Sequence, residues 1–531
     1  MTAVAERREL RWRSPALGSA RSRVLAPYLP AIVAGLNAVA FMLVRPDVND
    51  LWAARARASA VQHGVGLTYW FSWFAGGSTP GNYSVITPYV SAFTSAELLG
   101  ALSAVAIPLL CMLLVRGTSH PIAATSVAAY CAAVNLWSGR VPFLFGAAFA
   151  LGALLALRQK RTVWTIALCV LSILASPVTG AFAAIGLSGL FLSNREYRRI
   201  SLITIVSIGL ALAVIGVAFG APGPEPFSTT LKVQVVGALL LLQLARPVIW
   251  LRSTIWVSVI ATFALAAVPN AMGSNFARIA WYCLPVAVLA LSRLRVWIIA
   301  LMIAPLLVAG TEGTVQDLQH AGLPISQVSY YRPLAAQLDT IQGLENYRVE
   351  VVNHGAHAAY DALLNHATLA RGWETQEDLA LNASLQQNDL DGVTYKVWLD
   401  NNAVGYVAMP SAEFVNYPEY KLMRTKIGSM SYLKLVWQTE DWKLYRVQNP
   451  TPIVPAPATL VQLNQSRLTL DVPCVCTVNV RVRWSKFLHA SQIVSNAGAQ
   501  VSNDGSGWTS ITPSTPGTYV LSGSLSGGLL R

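Results

Sequence analysis

The chain has 531 residues, of which 54% are hydrophobic and only 12% charged. Soluble domains carry about 25% charged residues, so this composition excludes a wholly soluble protein. The formal charge of +13 is dispersed between apolar runs, which excludes the clustered basic footprint of a nucleic-acid partner.

Charge divides the chain in two. Residues 1–310 hold 23 Lys+Arg against 7 Asp+Glu, a balance of +16, whereas residues 311–531 hold 15 against 18, a balance of −3. A basic tail, 1–25, opens the first half. Apolar runs of membrane length follow near 26–44, 90–115, 121–137, 141–157, 162–176, 177–193, 200–219, 231–249, 254–269, 276–292 and 296–310. They predict an α-helical multi-pass membrane domain of about eleven spans over 26–310. Ser176-Pro177 interrupts the stretch 162–193, which reads as two short spans or as one long bent one. The first run has no small-residue cleavage site after it and reads as an uncleaved anchor.

Lys and Arg collect on the cytoplasmic side of spans. With a cytoplasmic N-terminus, 17 of them, including Arg158, Lys160, Arg161, Arg195, Arg198 and Arg199, fall inside. Only Arg45, Arg55, Arg57, Arg140, Lys232 and Arg278 fall outside up to residue 310. This asymmetry predicts a plasma-membrane protein whose C-terminal half lies outside the cytoplasm.

From 311 to 448 the pattern is that of an α/β or α+β domain. Helices are predicted at 330–344, 357–369 and 374–387, and strands at 347–352, 404–409, 432–438 and 442–447. Residues 449–458, with four prolines, read as a semi-rigid spacer. Residues 459–531 alternate with a period of two, as in Cys476, Val478, Val480, Val482 and Trp484, and predict a small β-sandwich. Cys111, Cys131, Cys169 and Cys283 read as small apolar core residues. Cys474 and Cys476, two apart, sit near the upper limit of disulfide reach, and either redox state fits.

Three stretches carry candidate chemistry. The first outer loop, 45–89, places Asp47 and Asp50 just after the first span, followed by Trp70, Trp73 and Tyr83. Acids beside aromatics at a membrane surface suit a sugar or phosphate site; helix capping and an interfacial aromatic belt suit the same residues equally. Arg140 and Arg278 lie in short outer turns, where a guanidinium either snorkels to lipid headgroups or meets a phosphate. Arg371-Gly372-Trp373-Glu374 places an Arg and a Trp at a turn, as an acceptor-binding pair or as a structural ion pair with a packed ring. His354 and His357 lack a nearby Cys or patterned acid, so no metal or other cofactor is called for, and a divalent cation has no ligand pattern behind it. Nucleotide-binding loops are also absent from the sequence.

Taken with the architecture, Trp70-Phe71-Ser72-Trp73 through Gly81-Asn82-Tyr83, Ser138-Gly139-Arg140-Val141-Pro142-Phe143, Arg371-Gly372-Trp373-Glu374 and Tyr395-Lys396-Val397-Trp398-Leu399 carry a resemblance. The chain resembles the GT-C-type membrane glycosyltransferases, and among them envelope proteins of actinobacteria. The resemblance implies a polyprenyl-phosphate-linked sugar as donor and an envelope glycan or lipid as acceptor. It implies that an acid of the first outer loop is the catalytic base. Asp47 matches best and Asp50 second; the sequence has Asp47-Val48-Asn49-Asp50 where an adjacent Asp-Glu pair occurs in the superfamily. Arg140 and Arg278 then take the donor phosphate, and Trp70, Trp73, Tyr83, Arg371 and Trp373 the acceptor or sugar. A transporter or flippase of a lipid-linked glycan is the alternative, and a non-catalytic envelope scaffold the third reading. Transport calls for ionisable groups in mid-span, where Glu97 is the main exception to a pattern of charges at span ends.

Overall fold

The computed structural model describes residues 26–220, 223–352, 355–412, 418–494 and 498–526. The basic tail and His354 lie outside the described residues.

Each apolar run forms a helix. Seven helices among the described residues are long and apolar enough to cross a membrane: Ala26–Val44, Ala96–Leu114, Val141–Arg158, Arg198–Phe219, Ile249–Ala267, Gly273–Leu291 and Val296–Ala321. Four apolar helices are shorter: Pro121–Trp137, Thr162–Ala175, Pro177–Ser193 and Thr229–Leu244. At about 1.5 Å per residue the shorter ones reach roughly 21–26 Å, most of a ~30 Å hydrocarbon core. The protein is a multi-pass membrane protein.

Contacts between the turns show that successive helices alternate direction. At one end Ser84 Oγ donates to the Ala175 carbonyl, Thr79 to that of Phe219, and the Glu225 N–H to that of Asn270. At the other end Arg158 bonds the Leu114 carbonyl, the Ser119 N–H bonds that of Ala290, and Ser292 bonds that of Ala245. The stretch 162–193 is therefore a hairpin of two helices turning at Ser176, whose backbone is extended. Two boundaries differ from expectation. The run predicted from residue 90 bends at Ser95, where φ is 96° and the side chain caps Leu98 N–H, so the long helix starts at Ala96. The last apolar helix continues past residue 310 to Ala321, through Gly313, and ends at Gly322; its polar extension is held to the bundle by Thr314, which bonds the Val134 carbonyl. Cys111, Cys131 and Cys169 are buried as expected, but Cys283 is exposed.

The soluble half begins with the helix Val328–Leu338 and builds a four-stranded sheet in the order β1-β2-β4-β3. These strands are β1 (Arg348–Val351), β2 (Val404–Pro410), β3 (Leu433–Gln438) and β4 (Trp442–Val447). β1 runs parallel to β2, and the other pairs are antiparallel. The helices Gly392–Asn401 and Pro418–Lys426, unread in the sequence, cover this sheet with Tyr395, Leu399, Tyr420 and Met423.

The C-terminal unit has seven strands, β5 (Thr459–Leu463), β6 (Arg467–Val472), β7 (Val478–Arg483), β8 (Leu488–Gln492), β9 (Gly498–Asn503), β10 (Trp508–Pro513) and β11 (Gly517–Gly523). They form one ladder, β5-β6-β11-β8-β9-β10-β7, rather than two separate sheets. The ladder curls, so that Leu468 and Leu470 of β6 share one core with Val478 and Val480 of β7 at the far edge. Cys474 and Cys476 form a disulfide in the β6–β7 turn. The proline-rich stretch is packed rather than free: Ile453 is buried, its N–H bonds Asn346 and its carbonyl takes the Arg481 N–H.

Candidate active site

The loop 45–89 is ordered by the C-terminal half of the chain. Its central part is a helix, Asn49–Gln62, laid across the end of the membrane bundle. Asn49 Nδ2 bonds the Gly355 carbonyl at 3.0 Å, Trp52 Nε1 that of Ser326 at 3.1 Å, and the Phe71 N–H that of Gln465 at 2.9 Å. Trp70 and Trp73 stack at 5.0 Å between ring centroids, and Trp373 and Tyr360 close around them. Both Trp70 and Trp73 are 1% exposed. They are the apolar core joining loop to soluble half, so no sugar reaches their faces.

Asp47 and Asp50 part company. Asp47 precedes the helix and faces Arg55 at 3.7 Å, while Arg55 also bonds Glu97 at 2.7 Å. Glu97 is therefore neutralised at the start of its helix. Burial raises the Asp47 carboxyl above its ordinary range, and Arg55 offsets part of that. Asp50 sits one turn on, in the helix's first turn, and points to Arg140 Nε at 3.6 Å. The turn 138–140 reaches this helix because Gly139 lies against Leu51; a Cβ there would stand 2.4 Å from the Leu51 nitrogen. Gly139 also has a φ of +77°, which favours glycine.

Arg140 is surrounded by groups the sequence did not assign. Its Nη1 donates to the Tyr282 hydroxyl at 3.2 Å, and its Nη2 is 3.9 Å from Asp317, which in turn accepts from Ser138. Its Nε–H is buried and makes no hydrogen bond. Tyr282 occupies a single π-helical turn, Ile279–Cys283, and donates to the Gly310 carbonyl. That turn starts beside Arg278, whose guanidinium lies over the Phe143 ring at 5.2 Å. Among the described residues Arg278 has no carboxylate and no hydrogen-bond acceptor. It is close enough to Arg140 for the two charges to repel and to Asp50 for attraction. Glu225 flanks the same space, held by Ser274 at 2.8 Å, and burial raises its carboxyl.

Tyr83 stands at the rim, its ring 4.1 Å from the Arg57 guanidinium. Arg371 is elsewhere: buried in the soluble half, it is saturated by Asp378, Glu350 and Glu419 and free for no ligand. Trp373 is partly open between the two regions. The structure thus gathers Asp50, Arg140, Arg278 and Tyr83, and separates Asp47, Trp70, Trp73 and Arg371 from them. Asp317 and Tyr282 lay hidden because each sits within or beside an apolar run, where a lone polar residue gives no pattern. Among the described residues no group of three or more His, Cys, Asp or Glu is placed to hold a metal ion.

Chemically this is a pair of guanidinium groups at the mouth of a helical bundle, with Asp50 and Asp317 on Arg140 and Glu225 beside Arg278. A half-buried guanidinium without a direct ion pair or hydrogen bond, as at Arg278, can accept an anion such as a phosphate.

No family model and no curated protein sequence matches the chain. Among solved structures it is similar to the cryo-EM structure of the arabinofuranosyltransferase AftD from Mycobacteria, at 13% identity and a TM-score of 0.46. That match covers 96% of this chain and 57% of the other, so the chain spans under two thirds of that protein's length. A mutant form of the same enzyme gives 12% identity, a TM-score of 0.46, and coverage of 96% and 60%. The crystal structure of the Archaeoglobus fulgidus oligosaccharyltransferase is similar at 12% identity and a TM-score of 0.35, covering 80% of this chain and 74% of that one.

Proposed function

We propose that the protein is a membrane glycosyltransferase that moves a sugar from a polyprenyl-phosphate donor to an envelope glycan or lipid acceptor. The observation that carries this reading is the unpaired guanidinium of Arg278 beside Arg140, with the Asp50 carboxylate facing the pair. The arginines receive the donor phosphate, whose lipid tail lies among the bundle's apolar helices. A lipid phosphate is a good leaving group, so no general acid is required; the fixed cations stabilise the charge that develops on it. Asp50 takes the proton of the acceptor hydroxyl as that oxygen attacks the anomeric carbon. Asp50 is preferred to Asp47 because Asp47 is turned to Arg55 and Glu97, away from both arginines. Tyr83 and Trp373 border the space where the sugar lies.

The reading includes an orientation. The bundle end remote from the soluble half bears Arg116, Arg158, Lys160, Arg161, Arg195, Arg198, Arg199, Arg246, Arg252, Arg293 and Arg295. This favours that end as cytoplasmic and the site as external. Nucleotide sugars are not supplied there, which accords with a lipid-carried donor.

The test is transfer from defined polyprenyl-phosphate sugars to envelope acceptors by purified protein in lipid nanodiscs. Transfer that depends on Asp50 supports the reading. Absence of turnover with every donor, together with no binding of polyprenyl phosphate, sinks it.

A further inference from the structure

The direction of the Arg140 guanidinium is set by a neutral group, not by its carboxylate neighbours. Asp50 stands off at 3.6 Å from Nε, and Asp317 at 3.9 Å from Nη2. A guanidinium that closes a hydrogen-bonded pair with a carboxylate approaches to about 2.7–2.9 Å. Neither carboxylate therefore fixes the planar fork. Among the described residues the one hydrogen bond from this guanidinium goes to the Tyr282 hydroxyl, 3.2 Å from Nη1. A hydroxyl carries no charge, so it orients the fork and leaves the positive charge available to an anion.

The hydroxyl accepts from Arg140 because its own hydrogen is engaged elsewhere. Tyr282 donates it to the Gly310 carbonyl, so only lone pairs face the guanidinium. Gly310 permits this approach: a Cβ there would stand 2.8 Å from the Tyr282 ring and 3.1 Å from Trp281 Cβ. The same helix, Val296–Ala321, brings Asp317 back to nearly the same face about two turns later. Ser138, which bonds Asp317, holds that carboxylate back from the arginine.

Tyr282 reaches this point through the π-helical turn Ile279–Cys283. Such a turn inserts one residue and rotates the chain before it by about 100° against the helix that follows. Arg278 immediately precedes the turn and lies over the Phe143 ring at 5.2 Å; that ring is 6.5 Å from the Tyr282 ring. The insertion thus sets Arg278 and Tyr282 around one side chain. Single π-turns are frequent at functional sites.

We propose that Tyr282 is a positioning residue, which holds Arg140 toward the donor phosphate and out of closed pairs with Asp50 and Asp317. The proposal rests on the reading of Arg140 as a ligand of that phosphate. Without the hydroxyl, Arg140 loses its one directional bond, and a neighbouring carboxylate captures it. A captured arginine is lost to the phosphate. If Asp50 is the captor, the acceptor hydroxyl loses its base as well.

The experiment is a double-mutant cycle on full-length protein in nanodiscs, read as Kd for polyprenyl phosphate. Tyr282→Phe keeps the ring and should weaken binding about tenfold. On an Arg140→Ala background the same change should have no further effect, whereas on Arg278→Ala it should keep its full size. Asp317→Asn removes the competing charge but keeps an acceptor for Ser138, and it should restore most of the binding lost in Tyr282→Phe. Circular dichroism confirms the fold of each variant. A merely structural tyrosine would weaken binding equally with and without Arg140, and Asp317→Asn would restore nothing; either result overturns the proposal. Weakened binding in Arg140→Ala with wild-type binding in Tyr282→Phe sinks the proposal alone. Wild-type binding in Arg140→Ala sinks the donor-phosphate reading of Arg140, and the proposal with it.

Discussion

Arg57 and Glu374 form a 2.7 Å ion pair across the junction between the loop 45–89 and the C-terminal half, and each side chain is 6% exposed. The pair fixes the helix Asn49–Gln62, and with it Asp50, to the domain above. Removing one partner strands a buried charge, which costs about 3–5 kcal/mol. Arg57→Ala should therefore lower thermal stability sharply, while Arg57→Met combined with Glu374→Leu should recover much of it. Equal losses in the single and double variants would show that the pair carries no such coupling.

Asp50→Asn keeps the shape of the site and removes its proton acceptor. General-base catalysis contributes about 10²–10⁴-fold, so turnover should fall by that factor with donor affinity nearly unchanged. Asp47→Asn should reduce turnover far less, since Asp47 faces Arg55. The reverse ranking in a transfer assay would return the base to Asp47.

Arg278→Ala removes a charge-assisted contact worth about 1.5–3 kcal/mol, or roughly ten- to a hundredfold in donor affinity. Its effect on folding should be small, because Arg278 has no protein ion-pair partner among the described residues. Arg140→Ala should weaken the donor similarly and also release Asp50 and Asp317. Unchanged polyprenyl-phosphate binding in both variants would reassign these arginines to headgroup contacts.

Burial and the adjacent Glu374 push the Glu377 carboxyl up to about 8, while Trp73 Nε1 donates to it at 3.1 Å. The folded state thus holds this proton more tightly than the unfolded chain, whose value is near 4.5. Its stabilising contribution is complete below the unfolded value and is lost as pH rises through about 8. Unfolding temperature should decline over that window in wild type, and Glu377→Gln should flatten the decline. An identical pH profile in the two proteins would refute the assignment.

A reporter fused after Val447 should be active only outside the cytoplasm. Labelling of that fusion from the cytoplasmic side would reverse the orientation and remove the argument for a lipid-borne donor.

Apolar runs and loop charges alone determined the helical bundle, its alternating course and the soluble half. These properties depend on hydrophobic transfer and local periodicity, which are written residue by residue. The strands β1 to β4 were legible for the same reason, from short alternating runs such as Trp442–Val447. The site was legible in part: Asp50, second to Asp47, and Arg140 and Arg278 stood out as charged groups near span ends, and Tyr83 as an aromatic of the first loop. Only the tertiary structure decided which of them meet. Asp47 and Asp50 are three residues apart, and a single helical turn sends one to Arg55 and the other to Arg140. Trp70, Trp73 and Arg371 have the composition of a sugar site but are consumed by the junction and by a buried carboxylate cluster. Asp317 joins the site from 179 positions beyond Ser138, through a helix that continues past its apolar run. Partnership between side chains so distant in sequence is set by packing and by the pairing of buried charge, neither of which has a local signature.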